Sequence, residues 1–309
     1  MSGFEARKLA PQPPVETVAV VVVTYNRAGL LLRMLGGLAA SERRPDAVIV
    51  VDNASTDHTK TVLDGVLDLP LQVIRPEVNL GGAGGFHLGV EAAYEQGFDR
   101  IWLMDDDVVP APDCLGVLMD VDEDCLMSVR EDTSGRLVEK AAVTFDLRNP
   151  LRIKPKTAMV ETVYGERSAM PDRVELQNVA FEGFMVRRAV VEAIGLPDPG
   201  YFIFYDDVDY ALRARRAGFR IWAVRDAVLV RQLDFDQQHD LSGWKGYYMY
   251  RNLFTVHLRY GENAMVRAKP WLITAGVVAL SPLRGGRAEA SNVRRALKDA
   301  RAKNRVQTR

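Results

Sequence analysis

Three consecutive carboxylates follow an apolar run in the stretch LMDDDVVP, and they are the densest group of chemically active side chains in the chain. Because adjacent like charges repel, a fold accepts them where a cation or water offsets the repulsion. If strand geometry continues to the end of the run, Asp105 and Asp107 point to one side and Asp106 to the other. Such an oxygen-rich pair suits Mg²⁺ or Mn²⁺, which bind carboxylates, phosphate oxygens and water. The alternative is a solvated acidic loop.

Polar or glycine-rich stretches also follow three other apolar runs, namely TYNR (Thr24–Arg27), DNAST (Asp52–Thr56) and NLGGAGGF (Asn79–Phe86). Taken singly, each has a structural explanation as a helix cap, a turn or a close contact between helix and strand. Four such stretches in order favour one shared ligand crevice instead. The glycines lack the G-x-G-x-x-G spacing after the first strand that dinucleotide binding requires, but they let the backbone approach a diphosphate or ribose.

The elements that position these residues are predicted by the apolar runs and by the helical periodicity between them. Strands are expected at Val18–Val23, Ala47–Asp52, Leu71–Arg75 and Arg100–Asp105, and helices around Leu30–Leu38, Thr56–Val66 and Gly85–Glu95. The βαβαβαβ order predicts an α/β fold with an open, mostly parallel sheet and helices on both faces. In such a sheet the ligand binds outside the carboxyl ends of the strands, where the polar stretches lie.

Composition excludes several other classes of protein. The chain has 309 residues, 48% hydrophobic and 26% charged, which is typical of one or two ordinary soluble domains. Its 40 basic and 41 acidic residues give no general attraction to nucleic acid. Cys114 and Cys125 have neither CxxC nor metal-site spacing, which favours a reducing, cytoplasmic setting. The N-terminus lacks the apolar core of a secretion signal, and the ten-residue run from Trp271 is shorter than the roughly 20 residues that span a bilayer.

Five motifs together resemble the inverting glycosyltransferases of family 2, which have the GT-A fold. These motifs are VVVTYNR, VVDNASTD, NLGGAGGF, MDDD and YDDVDYALRARRAGFRI, and the resemblance covers about residues 17–255. The segments NLGGAGGF, FYDDVDYALRA and WKGYYMYRN are most similar to the actinobacterial cell-wall galactofuranosyltransferases, and the chain length matches their shorter, galactan-initiating members. The resemblance implies UDP-galactofuranose as the donor and a polyprenyl-diphosphate-linked oligosaccharide as the acceptor.

The resemblance assigns the motifs of the first half to the donor. It implies that Asp52 accepts the imide N–H of uracil, a bond that thymine also offers, so UDP and dTDP donors both stay open. It also implies that Asp105 and Asp107 hold a Mg²⁺ or Mn²⁺ ion on the diphosphate. The donor-binding residues that it implies are Thr24, Arg27, Asp52, Asn79, Gly82, Asp105 and Asp106.

The second half is implied to supply the acceptor site and the general base. Asp207 would take the proton from the attacking hydroxyl, and Asp206 would hold an acceptor hydroxyl or orient its neighbour. The pattern here predicts a strand over FIFY that runs into a helix ended by Gly218, so N-capping is the structural alternative for both aspartates. For the segment FEGFMVRR the alternative is core packing. The acceptor-binding residues that the resemblance implies are Gly183, Phe184, Met185 and Trp244.

One position departs from the resembled pattern. Longer relatives have a metal-binding histidine twelve residues before the tryptophan of a W-x-x-Y segment, and here that position is Gln232. His239 is a second candidate ligand if the loop LDFDQQHD folds over the metal. The alternative for His239 is an exposed loop residue without a ligand role.

The composition changes again near the end of the chain. From Arg284 to Arg309, nine Lys or Arg residues stand against Glu289 and Asp299, and an apolar run precedes them. One interpretation is a solvated helix face. The other is attachment to an anionic membrane surface, which would suit a lipid-linked acceptor.

We therefore expect four parts: an N-terminal extension (1–16), a nucleotide-sugar-binding half (17–130), an acceptor-binding half with the base (131–260) and a C-terminal apolar and basic helical segment (261–309). The resemblance implies metal-dependent transfer of galactofuranose in cell-wall galactan synthesis at the inner face of the plasma membrane, by a monomer or a homo-oligomer. Two alternatives stay open. One is a rhamnosyltransferase or other family 2 transferase that uses a dTDP- or UDP-sugar, and the other is a non-catalytic sugar-nucleotide-binding subunit.

Overall fold

Strands and helices alternate through the first third of the computed structural model, which describes residues 16–233, 241–281 and 286–307. The expected N-terminal extension therefore lies outside the described residues, except for Glu16. All four predicted strands form, and every residue of the first is buried, as a β-branched strand covered on both faces requires. These elements are β1 (Val18–Thr24), α1 (Ala28–Ala39), β2 (Ala47–Asp52), α2 (Thr59–Asp64), β3 (Leu71–Ile74), α3 (Gly81–Glu95) and β4 (Arg100–Asp105).

The glycine-rich stretch is helical, because α3 begins at Gly81. The helix predicted around Gly85–Glu95 is confirmed, but it begins four residues earlier, although glycine has a low helix propensity. A Cβ atom at Gly85 would lie 2.5 Å from Val23 Cγ1, and one at Gly89 would lie 2.3 Å from Val21 Cγ1. These glycines therefore allow α3 to pack directly on β1, and this contact outweighs their low propensity.

The second part of the chain adds shorter strands and the helix that carries Asp206 and Asp207. Residues 202–205 form an irregular segment before this helix, so the strand predicted over FIFY is wrong. Two 3₁₀ helices span Arg167–Ala169 and Pro199–Tyr201. The other elements are β5 (Val108–Pro110), α4 (Cys114–Met119), β6 (Cys125–Asp132), β7 (Ala142–Phe145), β8 (Lys156–Met159), α5 (Val160–Tyr164), β9 (Arg173–Leu176), β10 (Phe184–Arg187), α6 (Arg188–Ile194), α7 (Asp206–Arg216) and β11 (Ile221–Arg231).

One large sheet runs through the described residues in the order β3-β2-β1-β4-β10-β6-β11-β5, and β9 pairs with the first part of β11. The neighbours among β1 to β4 are parallel, while β10 is antiparallel to both β4 and β6. This confirms the predicted α/β fold with a mostly parallel sheet. Its register places Thr24 beside Asp52 and Val23 beside Asp105, so the polar stretches meet at one edge.

Three further helices end the chain: α8 (Trp244–Tyr260), α9 (Ala264–Leu280) and α10 (Arg287–Gln307). Tyrosines of α8 bind acidic residues of α10, with Tyr247 donating to Asp299 at 2.7 Å and Tyr250 to Glu289 at 2.5 Å. Within the described ranges, every helix is too short or too polar to cross a membrane.

Candidate active site

A cleft of about 230 Å³ opens at the carboxyl end of β4. It collects side chains from both halves of the chain, and four of them are aspartates that the sequence singles out. The lining residues are Arg27, Gly82, Phe86, Asp105, Asp107, Ala180, Phe181, Glu182, Ile203, Phe204, Asp206, Asp207 and Arg231.

The acidic triplet is divided between the cleft and the interior. Asp105 and Asp107 line the cleft. The Asp106 carboxylate instead accepts hydrogen bonds from the Thr24 hydroxyl at 2.7 Å and from the Arg27 guanidinium at 3.0 Å. Arg27 also pairs with Asp107 at 3.5 Å. Asp106 therefore binds two predicted donor-binding side chains, of which Arg27 also lines the cleft.

Negative charge is concentrated around this cleft. Burial raises the pKa of Asp105 well above its usual value, and the charges of Glu182 and Asp107 add to the effect. Burial and Glu182 also raise the pKa of Asp107, against the opposing charge of Arg231. Among the described residues, the buried Oδ1 atom of Asp107 has no hydrogen-bond partner. A cation in the cleft would offset this repulsion between carboxylates.

Glu182 stays ionised because two arginines hold it. It pairs with the fully buried Arg130, and its Oε2 atom lies 3.4 Å from Nη1 of Arg231. Arg130 also makes a two-pronged pair with Glu139, at 2.8 and 2.9 Å. Although burial opposes it, the positive charges of Arg130 and Arg231 hold the pKa of Glu182 below its usual range.

Sequence reasoning missed Glu182 and Arg231 as cleft residues, because neither belongs to an acidic or glycine-rich motif. Arg231 ends the apolar strand β11, and a buried charge in such a run is the signal that could have identified it. Its Nη2 atom lies 4.0 Å from Asp107 Oδ2, which brings the end of β11 to the acidic triplet.

Asp206 and Asp207 begin α7 and line the same cleft as Asp105 and Asp107. Burial and the charge of Asp207 raise the pKa of Asp206 to about 8, which favours its protonated form near neutral pH. Burial also raises the pKa of Asp207, but the positive charge of Lys156 opposes this shift, as does the Val208 N–H that donates to Asp207 Oδ1 at 2.7 Å. Asp207 is therefore the carboxylate of the pair that is better placed to accept a proton.

Four predicted donor-binding residues lie outside the cleft lining: Thr24 and Asp106, which bind each other, and Asp52 and Asn79. Asp52 is fully buried, pairs with Arg75 at 2.6 Å and accepts the Ser55 N–H at 3.0 Å. Asn79 accepts the N–H of Gly81 at 2.7 Å and so fixes the start of α3. Asp52 thus sits at the carboxyl end of β2, on the same sheet edge as the acidic triplet.

The segment proposed for the acceptor is placed differently from the expectation. Phe184 and Met185 are 0% and 1% exposed, and their side chains pack in the core on opposite faces of β10. They do not line the cleft because β10 is a central strand of the sheet. Gly183 has a φ of 112°, and a Cβ there would lie 2.6 Å from a methyl group of Leu229. Trp244 is 57% exposed at the start of α8.

Two residues after β11, Gln232 and His239, are the candidates for a third metal ligand. Gln232 is placed beside the acidic triplet, because its backbone N–H donates to the carbonyl oxygen of Asp107 at 2.8 Å. Its side-chain amide donates to the carbonyl oxygen of Val230 at 3.2 Å. His239 lies outside the described residues. In the described part of the chain, no group of three or more His, Cys, Asp or Glu side chains has the arrangement of a metal site.

Comparison with known proteins identifies the family of this chain. A family model described as glycosyltransferase like family 2 matches residues 13–243. The galactofuranosyltransferase GlfT1 of Mycobacterium tuberculosis is 30% identical over 272 residues, which are 83% of this chain and 87% of that protein. GlfT1 of Mycolicibacterium smegmatis is 32% identical over 206 residues, 66% of this chain and 67% of that protein.

A solved structure supports the fold. The crystal structure of GalNAc-T7 with UDP, GalNAc and Mn²⁺ superposes with a TM-score of 0.61 at 14% identity, covering 91% of this chain and 55% of that chain. The family model covers well over half of the sequence and includes the acidic triplet, Glu182, Asp206 and Asp207. This chain belongs to glycosyltransferase family 2 and is a glycosyltransferase with the GT-A fold.

Proposed function

We propose that this glycosyltransferase transfers galactofuranose from UDP-galactofuranose to a polyprenyl-diphosphate-linked glycan, with inversion at the anomeric carbon. The observation that carries the proposal is the meeting of Asp105 and Asp107 with Asp206 and Asp207 in one cleft. One pair suits the diphosphate end of a donor, and the other suits the hydroxyl of an acceptor. The choice of sugar follows the two relatives named as galactofuranosyltransferases.

The donor end of the cleft fits a Mg²⁺ or Mn²⁺ ion. Asp105 and Asp107 offer carboxylate oxygens, including the buried Oδ1 of Asp107 that lacks a partner among the described residues. Mg²⁺ commonly binds through one or two carboxylates together with substrate phosphates and water. When bound, the ion would supply positive charge to the departing diphosphate. Arg27, which lines the same cleft, is placed to add a second positive charge there.

The acceptor end of the cleft provides the base. Asp207 accepts the proton of the acceptor hydroxyl while the hydroxyl oxygen attacks the anomeric carbon from the face opposite the diphosphate. Lys156 supports this role, because its charge opposes the rise in the pKa of Asp207 that burial causes. The protonated Asp206 can donate a hydrogen bond to a second acceptor hydroxyl.

A lipid-linked acceptor requires access to a membrane surface, and we propose that α9 and α10 provide it. Trp271, Leu272 and Leu280 of α9 are 42%, 68% and 45% exposed. The guanidinium of Arg301, on α10, lies 5.6 Å from the centre of the Trp271 ring, so basic and apolar side chains share one surface. Such a surface is typical of helices that lie in the headgroup region of anionic membranes.

A donor screen tests the proposed reaction. The full chain is incubated with Mg²⁺ or Mn²⁺, a polyprenyl-diphosphate-linked glycan and, separately, UDP-galactofuranose, UDP-galactopyranose, UDP-N-acetylglucosamine and dTDP-rhamnose. Among the four donors, we expect only UDP-galactofuranose to give nucleotide release that depends on the acceptor. Asp207→Asn should lose that release. Preferential use of dTDP-rhamnose would replace the proposed donor, and binding of UDP-galactofuranose without transfer would indicate a non-catalytic subunit.

A further inference from the structure

The segment that leads into α7 is held in an unfavourable backbone conformation. Phe202, Phe204 and Tyr205 have φ angles of 64°, 66° and 67°, in the left-handed region that residues with large side chains avoid. Ile203 and Phe204 line the cleft, and Asp206 follows at once. Strained conformations of this kind persist only where surrounding groups impose them, and they are concentrated at functional sites.

One side chain of α8 makes most of the contacts that impose this conformation. Asn252 is fully buried, and its amide nitrogen lies 3.0 Å from the carbonyl oxygen of Tyr201, 2.8 Å from that of Ile203 and 2.9 Å from that of Phe204. The neighbouring Arg251 donates to the carbonyl oxygens of Gly200 and Tyr201 at 2.8 and 2.7 Å. Few side chains could replace these contacts, since a primary amide supplies two N–H donors from one short side chain.

The other side of the segment rests on the start of α3. The N–H of Ala83 donates to the carbonyl oxygen of Phe202 at 3.1 Å. A Cβ atom at Gly81 would lie 2.0 Å from the same oxygen, so the close approach requires glycine there. The strained segment is therefore held between α8 and the start of α3 at Gly81. The residue after Gly81, Gly82, lines the cleft.

We infer that Asn252 is a positioning residue for sugar transfer. It holds residues 201–204 so that Asp207 and the cleft wall formed by Ile203 and Phe204 keep the geometry that reaction requires. This inference rests on the proposed function, because it assigns the base to Asp207. Displacement of a reacting group by about 1 Å is enough to lower a rate by roughly 100-fold, and the free energy stored in three left-handed residues would drive such a displacement once the clamp is removed.

The test compares Asn252→Ala with Asn263→Ala. Asn263 is the N-cap of α9, where it accepts the Val266 N–H at 2.9 Å and donates to the carbonyl oxygen of Arg148 at 2.7 Å. Neither Asn263 nor these two partners line the cleft. Both variants lose side-chain hydrogen bonds of an asparagine. We expect kcat of Asn252→Ala to fall by about 10- to 100-fold while the Kd for UDP and the KM for the donor change by less than about twofold. Asn263→Ala should keep the wild-type kcat.

A second measurement does not depend on activity. The N–H groups of Phe202, Ile203 and Asp209 are hydrogen bonded within this region. Their hydrogen exchange should be faster in Asn252→Ala than in the wild type, and unchanged in Asn263→Ala. If the wild-type chain transfers no sugar, the proposed function fails, yet faster exchange in Asn252→Ala would still establish the clamp.

Two outcomes would overturn the inference. One is a wild-type kcat in folded Asn252→Ala, and the other is exchange at Phe202 and Ile203 that matches the wild type. If Asn252→Ala does not fold, Asn252→Ser decides, because its hydroxyl can still donate to one of the three carbonyl oxygens. A reduced kcat with normal UDP binding in Asn252→Ser supports the inference, and a wild-type kcat overturns it.

Discussion

The Thr24 hydroxyl donates a hydrogen bond of 2.7 Å to the carboxylate of Asp106, and this bond joins the end of β1 to the middle of the acidic triplet. Asp106 is 3% exposed, and it also accepts from Arg27. With Asp106 held inward, its neighbours Asp105 and Asp107 are the members of the triplet that reach the cleft. Three identical side chains in sequence thus have two different surroundings, although β4 ends at Asp105 and the other two aspartates lie in the turn that follows.

We expect Asp107→Asn to lose metal-dependent binding of UDP. An amide is a poorer ligand than a carboxylate for Mg²⁺ or Mn²⁺. Loss of the Asp107 carboxylate should therefore weaken UDP binding in the presence of metal by about tenfold or more. Calorimetric titration of UDP with and without the ion measures this, with Asp120→Asn as the matched control on the exposed end of α4. Unchanged UDP affinity with metal present would remove Asp107 from the donor site.

Asp207→Asn should abolish transfer and leave UDP binding intact. Asparagine keeps the shape and can still accept the Val208 N–H, but it accepts no proton, so turnover should fall by about 10²- to 10⁴-fold. In Asp206→Asn the amide resembles the protonated acid, because the pKa of Asp206 is raised to about 8. Its turnover at pH 7 should therefore fall by much less. The reverse order of the two variants would make Asp206 the base.

Lys156→Met should change the pH dependence of kcat. Burial raises the pKa of Asp207, and Lys156 is the strongest influence among those that oppose the rise. Without the lysine the pKa of Asp207 rises further, so the acid limb of the kcat profile should move to higher pH. The control is Lys154→Met, an exposed lysine two residues earlier. An unmoved acid limb in Lys156→Met would mean that another group titrates in the profile.

The strands that form the site could be predicted because their signal is local. β1, β2 and β4 are buried on both faces, so their apolar runs mark them within one residue. The start of α3 at Gly81 could not be predicted, because it depends on the close approach of Gly81 and Ala83 to the carbonyl oxygen of Phe202, which is far away in the sequence. Phe184 and Met185 show the same limit, since bulky apolar residues after a glycine give the same sequence pattern whether they line a cleft or pack inside a central strand.

The contribution of charged partners was also beyond the sequence. Glu182 reaches the cleft as an ionised group only because Arg130 and Arg231, from two neighbouring strands, pair with it. Lys156 comes from the small β7–β8 sheet and acts on Asp207, which is 51 positions away in the chain. Such pairs depend on which strands become neighbours, and hydrophobic periodicity carries no information about that choice.

His257 should make stability depend on pH. It is fully buried, and neither ring nitrogen has a partner among the described residues. Burial and the charge of Lys269 lower the pKa of His257 to about 4, below the unfolded value of 6.5. The unfolded state therefore binds the proton first, and the free energy of unfolding should fall as pH drops from 6.5 towards 4, by about 2 kcal/mol at pH 5.

Denaturant titrations at pH 7.5 and pH 5 measure this effect. Carboxylates also titrate over this interval, so the effect of His257 is the difference between variants. His257→Met should lose about 2 kcal/mol less than the wild type between the two pH values. His58→Met, which changes an exposed histidine, should behave as the wild type. Equal losses in His257→Met and the wild type would show that His257 does not titrate with a lowered pKa.

Membrane attachment through α9 is tested with point variants, which leave the packing of α8, α9 and α10 in place. Trp271 and Leu272 are exposed beside basic residues of α10. Complete burial of one such side chain in the headgroup boundary contributes about 1.5–3 kcal/mol to the free energy of membrane binding. The double variant Trp271→Ser with Leu272→Ser should therefore bind anionic vesicles at least about tenfold more weakly.

The matched control replaces two equally exposed leucines elsewhere. Leu67 and Leu151 are both 89% exposed, and Leu67→Ser with Leu151→Ser also replaces two exposed apolar side chains by serine. Co-sedimentation is measured with vesicles of anionic and of neutral lipid, at low and high salt. This separates the electrostatic contribution to binding from the apolar one. Attachment by α9 and α10 predicts binding that needs anionic lipid, weakens with salt and is lost in the α9 variant alone. Equal sedimentation of both double variants would exclude α9 as the attachment surface, and the lipid-linked acceptor would then have to reach the cleft by another face.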